Sequence, residues 1–418
     1  MRFQAPRGTE DVLPADSYKW HKIEDTFREV SRLFGYCEIR TPTFEDTDLF
    51  ARTAGETSDI VTKQMYTFTD KGDRSITLKP EGTAPAMRAL LQHNLCPPGT
   101  IVRMSYVTPF FRYERPQKGR LREPHQAGLE LVGSASPAAD AEIIEITMRF
   151  YRELGITETV AMLNSLGRSA CRHAFREAIL ERTKAYLAGQ STEIQEKVRK
   201  NPLRLLDSKD PDAQEAVKSV PPVTDFLEDE SRQRFDRIQE LLTEANVPYR
   251  LAPEIVRGLD YYTETVFEVQ STRLGAQSAL CGGGRYDDLI AELGGPSTPS
   301  VGVGMGIERA IIVMDDLGLF GAPPGPDAFV VQAAQSARAA CQGLARTLRD
   351  AGLSVLVDIE ERSMKSQLRQ ADKSAARFAL ILGDEECAKG TVQIKKLGTS
   401  EQIESPVGEV LDKLKAMR

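Results

Sequence analysis

The sequence predicts a mixed α and β region, interrupted by a charge-rich helical segment and followed by a C-terminal unit of alternating strands and helices. Strand-like runs and glycine clusters fill roughly 36 to 133 and resume after Pro248 as far as about Ile312. Between them, residues from about 165 to 245 are glycine-poor, rich in charged helix formers and broken by Pro202, Pro211, Pro221 and Pro222. Beyond Gly318 to Pro326, a stretch with three glycines and three prolines, strand and helix patterns alternate, as in an α/β unit. The expected boundaries are 1–165 with 246–322, then 166–245, then 327–418.

Taken in order, Trp20, Ile23, Phe27, Val30 and Phe34 recur at spacings of three and four and predict an amphipathic helix. Asp16 is its candidate cap and Gly35 its stop. Tyr36 to Thr41 reads as a short strand closed by Pro42, and Asp70-Lys71-Gly72-Asp73 as the turn of a hairpin between Met65 and Leu78. A helix follows from Ala84, with Pro85 in its tolerant first turn. Pro109 to Arg115 and Gln126 to Gly133 read as strands joined by a basic loop, Pro116 to His125, that contains Lys118, Arg120 and Arg122. Val301 to Gly306 is a glycine-rich strand entering a helix near Glu308. In the C-terminal unit, Phe329 to Gln332, Leu353 to Ile359, Phe378 to Leu382 and Val392 to Lys396 are the expected strands.

Composition narrows the class. Hydrophobic residues make up 41% and charged residues 28% of 418, with 31 glycines, which excludes collagen-like, disordered and mini-protein classes. No run is long enough to span a membrane and no signal-peptide core opens the chain, so a cytoplasmic location is expected. The six cysteines, Cys37, Cys96, Cys171, Cys281, Cys341 and Cys387, lie tens of residues apart without a Cys-x-x-Cys pair, so neither a disulfide framework nor a metal site is expected. A net charge of −7 argues against nonspecific DNA coating. It is unevenly spread: −8 before Pro326 and +1 from there on. Lys365, Arg369 and Lys373 form a stripe at four-residue spacing that suits either phosphates or plain solvent.

Four polar knots carry chemistry. On the predicted strands Arg112 and Glu114 share a face, as do Gln126, Gly128, Glu130 and Val132, and where the polar faces coincide the surface suits a ligand or open solvent. The others are Arg257 to Tyr262, Cys281 to Asp287 and Val301 to Arg309. Gly302, Gly304 and Gly306 lack dinucleotide-loop spacing, and no P-loop occurs. Arginines and carboxylates without a nucleophilic pair suit nucleotidyl chemistry driven by positioning and charge stabilisation.

Arg7 to Asp11, Leu78 to Thr83, Phe111 to Arg120, Arg257 to Tyr262 and Gly283 to Asp287 together resemble the histidyl-tRNA synthetases, class II aminoacyl-tRNA synthetases, over nearly the whole chain. Gly35 to Pro42, Phe111 to Glu130 and Gly302 to Arg309 look like class II motifs 1, 2 and 3. The resemblance implies an α+β catalytic domain on a mixed, mainly antiparallel six-stranded sheet, a helical insertion, a C-terminal α/β anticodon-binding domain and a homodimer. It implies ATP with Mg²⁺, L-histidine and tRNA(His) as ligands, and no membrane or DNA partner. By the same resemblance Arg112 meets the α-phosphate and the histidine carboxylate, while Arg120 and Arg309, with Glu114 beside them, hold the rest of ATP. Glu81, Gly82, Thr83 and Gln126 surround the α-amino group, Glu130, Tyr261 and Tyr262 the side chain, and Arg257 offsets charge as the adenylate forms. Gln117 and Arg122 approach the tRNA acceptor end. Pro124 stands where the family pattern leads one to expect an aromatic residue.

Two other readings fit parts of this pattern. A silent regulatory paralogue lacks the anticodon domain and usually the Arg-Gly-Leu-Asp-Tyr-Tyr motif, both of which are expected here. A tRNA-sensing module within a kinase needs kinase motifs, and none is found.

Overall fold

Along the strand His125–Val132, Ala127, Leu129 and Leu131 alternate with Gln126, Gly128 and Glu130, so one face is apolar and the other polar. That alternation organises the first of two compact units, Met1–Gly321 and Ala322–Arg418. The computed structural model describes every residue except 1–2, 55–57, 59, 117–118, 207, 209, 256–260, 272–278, 400 and 418.

The strands of the first unit are β1 (Cys37–Glu38), β2 (Phe44–Asp46), β3 (Tyr66–Thr69), β4 (Ser75–Leu78), β5 (Val102–Pro109) and β6 (His125–Val132). They continue as β7 (Thr159–Ser165), β8 (Tyr249–Leu251), β9 (Thr263–Ser271), β10 (Ala279–Arg285) and β11 (Ser300–Gly306). The main sheet runs β1-β5-β6-β11-β10-β9-β7-β8. Its six central strands are antiparallel throughout, and the short β1 and β8 add parallel edges. The expected six-stranded sheet is therefore its centre, extended by one strand on each side. A separate small sheet, β2-β4-β3, contains the expected hairpin. Asp70 Oδ1 accepts from the backbone N–H groups of Gly72 and Arg74 and so closes its turn.

Helices cover the apolar face of the main sheet. Ser17–Leu33 contributes Ile23, Phe27 and Val30, Pro137–Glu153 contributes Ile143, Ile146 and Phe150, and Ile307–Asp316 contributes Val313 and Met314 to one buried cluster with Leu129, Leu131, Val301 and Val303. Asp16 makes no side-chain cap bond and pairs with Lys19 at 3.4 Å instead. Within 166–245, residues of Ser169–Arg182 and the short helices after it close a small core of their own around Phe175, Ile179, Leu187 and Val198. Asp229–Glu244 differs: its Phe235, Ile238 and Leu242 belong to the main cluster.

The first strand of the expected basic hairpin ends sooner than its sequence suggests. Pairing stops at Pro109 opposite His125, and residues 110–116 have no regular structure. Prolines on both sides, Pro109 and Pro124, interrupt the ladder because they lack N–H donors. The backbone remains pinned from two sides: Phe110 and Arg112 donate to Pro124 and Arg122, while Phe111 and Tyr113 donate to Lys79 and Gln64.

Beneath the helix Pro137–Glu153 lies a buried charge cluster. Asp140 accepts from Arg285 Nη2 and Arg234 Nη2, both at 2.6 Å, and Asp287 accepts from Arg285 Nη1 at 2.9 Å. Arg285 is wholly buried, so this arginine of the triple-glycine motif serves the architecture. Asp140→Asn leaves two guanidinium groups short of counter-charge and is expected to cost about 3–5 kcal/mol. Denaturant unfolding checks this, and a loss below about 1 kcal/mol would show that the cluster is not a stabilising unit.

The second unit is a five-stranded sheet in which Ala328–Gln332 pairs in parallel with Val355–Val357 and Phe378–Leu382, and Phe378–Leu382, Thr391–Lys396 and Gln402–Pro406 follow antiparallel. Gln402–Pro406 was not expected, since its polar composition hides the strand period and only Ser405 is buried. Lys365, Arg369 and Lys373 lie exposed on the helix Met364–Lys373, whose Gln367 and Ala371 are buried.

Candidate active site

On the polar face of the main sheet lies a cavity of about 340 Å³. Glu81, Thr83, Arg112, Gln126, Tyr261 and Tyr262 line it together with Arg120 and Arg309. These eight predicted residues come from six separate stretches of the chain, brought together by the sheet and the helix termini beside it. Glycines open the space. A Cβ on Gly302 would fall 1.9 Å from Glu130 Oε2, and one on Gly304 would fall 1.9 Å from Gln126 Nε2. Because Gly302 pairs with Glu130 and Gly304 with Gly128 in register, the glycine run of β11 provides the room that the polar face of β6 requires.

At one end are carboxylates and hydroxyls. Glu81 is buried and its carboxylate accepts from the backbone N–H groups of Thr83 and Ala84 at 2.6 and 2.7 Å, at the start of the helix Thr83–Gln92. Burial pushes its carboxyl upward, against the pull of those two donors. Glu130 is set behind the wall with no exposed surface. Its Oε1 accepts from Thr83 Oγ1 and the Tyr106 hydroxyl, both at 2.8 Å, and its Oε2 accepts from the Tyr286 hydroxyl. Burial raises the Glu130 carboxyl to about 8, although the three hydroxyls oppose that shift. Burial first, and then the charge of Glu130, push the Tyr106 and Tyr286 hydroxyls well above their ordinary range, so both remain donors.

Arg112, Arg120 and Arg309 line the same cavity. Arg112 Nε donates to the Pro80 carbonyl at 2.7 Å, which fixes the direction of its guanidinium. Arg120 pairs with Glu114 at 3.1 Å, and Arg309 donates to the Ala279 carbonyl. Burial and then the nearby Arg120 lower the Arg309 guanidinium from its ordinary value, a cationic crowding that a polyanion would relieve. Glu308 on the same helix turn holds His125, accepting from its backbone N–H at 2.9 Å and lying 3.0 Å from Nδ1.

Not every expected residue reaches the cavity wall. Gly82 leaves room for the Tyr106 ring, which a Cβ there would meet at 2.4 Å. Arg122 is engaged within the chain: Nε donates to the Glu114 carbonyl at 3.2 Å, and its guanidinium stacks on the Tyr113 ring at 3.8 Å. Arg257 and Gln117 lie outside the described residues. Conversely, Tyr106 and Tyr286 received no role from the sequence, and Phe110 and Glu268 also line the cavity. The signal for Tyr106 is its pairing with Gly128 across β5 and β6, visible only once the register is known.

Residues 8–310 match the histidyl-tRNA synthetase family, and residues 327–417 match the anticodon binding domain family. A histidine–tRNA ligase of Moorella thermoacetica is 47% identical over 423 aligned residues, covering 100% of this chain and 99% of its own. One from Caldanaerobacter subterraneus is 44% identical, with 98% and 99% covered. The crystal structure of apo S. aureus histidyl-tRNA synthetase superimposes with a TM-score of 0.83 at 33% identity, covering 99% of this chain and 100% of that one. The antiparallel sheet with its glycine-lined cavity, the arginines at one end of it and relatives matching from end to end agree: the chain belongs to the histidyl-tRNA synthetase family.

Proposed function

We propose that the cavity activates L-histidine with ATP and that the chain then transfers the histidyl group to the 3′ end of tRNA(His). The observation that carries this reading is the pairing, in one cavity, of a carboxylate and hydroxyl end (Glu81, Thr83, Tyr262) with an arginine end (Arg112, Arg120, Arg309). The α-ammonium of histidine meets Glu81, Thr83 and Gln126. Its imidazole, which donates at one nitrogen and accepts at the other, meets Tyr262, while Glu130 acts from behind the wall through the Thr83 and Tyr286 hydroxyls it holds. Tyr261 packs against Tyr262, with ring centroids 4.7 Å apart, and braces it.

The histidine carboxylate attacks the α-phosphorus of ATP in line, the bond to the bridging oxygen breaks, and pyrophosphate leaves. Arg112, held by the Pro80 carbonyl beside Glu81, stabilises the charge that builds on the α-phosphate. Arg120 and Arg309 bind the leaving phosphates, with Glu114 orienting Arg120. Arg257 adds positive charge beside the reacting groups in this reading. Mg²⁺ enters with the triphosphate as part of the substrate; among the described residues no group of three or more His, Cys, Asp or Glu forms a protein cage for it.

The tRNA acceptor end approaches along the loop that holds Arg122, which acts by tying the loop to Gly8 and Glu114; Gln117, outside the described residues, is a contact by family resemblance. Lys365, Arg369 and Lys373 meet phosphates of the anticodon arm. The partner in a homodimer packs against the small sheet, where Phe44 and Phe68 are 52% and 47% exposed. No described helix is long and apolar enough to cross a membrane; the cytoplasm is the proposed location.

Pyrophosphate exchange with purified protein and MgATP tests the reaction. Exchange is expected with histidine alone, with other amino acids disfavoured by about 10⁴ or more, because a site built on hydrogen bonds is left unpaired by an apolar analogue. Equal exchange with several amino acids, or none with histidine, would overturn the reading; none at all would favour a silent regulatory protein.

A further inference from the structure

Glu264 stands at a junction that the reaction scheme leaves unused. It is the second residue of β9, two positions beyond Tyr262 of the cavity wall. Its φ is +47°, a left-handed backbone that only glycine adopts freely, and the residue is 2% exposed. Such a conformation persists where the surroundings over-determine it.

The surroundings here are the two ends of the helical insertion. On the way in, the Glu264 N–H donates to the Gly167 carbonyl at 3.0 Å, and the Leu166 N–H donates to the Glu264 carbonyl at 2.7 Å. Arg168, immediately before the helix Ser169–Arg182, donates Nε to Glu264 Oε1 at 3.0 Å. On the way out, Ser231 in the first turn of Asp229–Glu244 donates its hydroxyl to the same oxygen at 2.9 Å. Arg168 also grips Glu230 with both terminal nitrogens, at 2.9 and 2.8 Å, and so ties entry to exit. One turn further along the entry helix, Arg172 Nη1 donates to the backbone carbonyl of Tyr262 at 3.0 Å.

We propose that Glu264 is a positioning residue for the amino acid: it clamps the two stalks of the insertion onto the start of β9 and, with Arg172, thereby sets where Tyr262 stands in the cavity. This rests on the histidine reading of that cavity. The Glu264 carboxylate is buried beside Arg168 and Ser231, so its geometry follows where those two lie, and their positions are in turn the insertion's anchorage. A shift of the insertion then alters the wall that faces the side chain of histidine, while Arg120 and Arg309, on other elements, keep their places.

Glu264→Gly is the informative variant, because it keeps the left-handed backbone accessible while removing the side chain that carries the carboxylate. In pyrophosphate exchange the histidine KM is expected to rise about five- to twentyfold and the ATP KM to stay within about twofold, the split expected when one substrate's wall is displaced. Arg172→Met, which removes the charge-assisted bond to the Tyr262 carbonyl and the 3.9 Å pair with Asp288, is expected to raise the histidine KM about threefold to fivefold, and Arg172→Lys to recover part of it. Glu193→Gln, at the exposed pair with Lys197 elsewhere in the insertion, serves as the control and is expected to change either constant by less than about twofold.

A histidine KM within twofold of wild type for a folded Glu264→Gly protein would overturn the proposal, as would parallel rises in both constants. If Glu264→Gly does not fold, Arg172→Met decides alone, since it lies on the insertion's surface helix and an unchanged histidine KM there refutes the positioning role. Failure of the wild-type protein to exchange pyrophosphate with histidine is a separate outcome: it removes the underlying reading and this proposal with it.

Discussion

Arg112→Ala is expected to slow adenylate formation by about 10² to 10³, roughly 2.7 to 4 kcal/mol of lost transition-state stabilisation. The reason lies in its placement. Its Nε is committed to the Pro80 carbonyl at 2.7 Å, and the guanidinium packs beside the Phe110 ring at 4.9 Å, so its direction is set before any substrate arrives. A preorganised cation facing the α-phosphate is strengthened as charge grows there and pays little reorganisation. Arg112→Lys should recover little, because a lysine has no planar fork with which to bind both Pro80 and a phosphate oxygen. Single-turnover formation of the adenylate is the measurement. A normal rate with only a raised ATP KM would assign Arg112 to uniform binding and take the catalytic role away from it.

Glu130→Ala should act on the other substrate. Loss of the buried carboxyl, with the Thr83, Tyr106 and Tyr286 hydroxyls left facing a void, is expected to raise the histidine KM about thirty- to a hundredfold, roughly 2–3 kcal/mol. The ATP KM should move much less, since the arginine end is built from other elements. Equal changes in both constants would mean a general defect of the site.

A second signature of Glu130 is read without substrate. Burial raises its carboxyl from the usual 4.5 to about 8, so the folded protein holds a proton there that the unfolded chain releases. The stability this group contributes is therefore fully present below about pH 4.5 and is lost as the pH rises through about 8. Glu130→Gln should flatten that fall in substrate-free unfolding curves. Parallel curves for wild type and variant between pH 5 and 9 would show that Glu130 is already ionised in the folded state.

How far the sequence reaches is shown by β6 and β11. Strict alternation in 125–132 was enough to place Gln126, Gly128 and Glu130 on one face, because side-chain direction in a strand follows from the backbone alone. The glycines at 302, 304 and 306 announced close approach, but what approaches them depends on the strand pairing. Only the register shows that Gly302 lies opposite Glu130 and Gly304 beside the Gln126 amide. The strand proposed for 109–115 failed for a local reason with a tertiary remainder: prolines at 109 and 124 end the ladder, yet backbone bonds to Lys79 and Gln64 keep the segment pinned.

By itself the sequence determined the family, the first amphipathic helix and the two faces of the strand at 125–132, since these depend on residue type and spacing within short windows. Only the tertiary structure decided which polar residues share a cavity and which are spent on the scaffold. Arg285 and Arg112 look alike in the chain, yet Asp140 buries the first in a charge cluster, while the Pro80 carbonyl orients the second along the cavity wall. Glu130 likewise reads as one more strand carboxylate until Thr83, Tyr106 and Tyr286, from three distant stretches, converge on it. The physical reason is that the chemistry of an ionisable group is set by its partners and its distance from water, and both are supplied by parts of the chain far away in sequence.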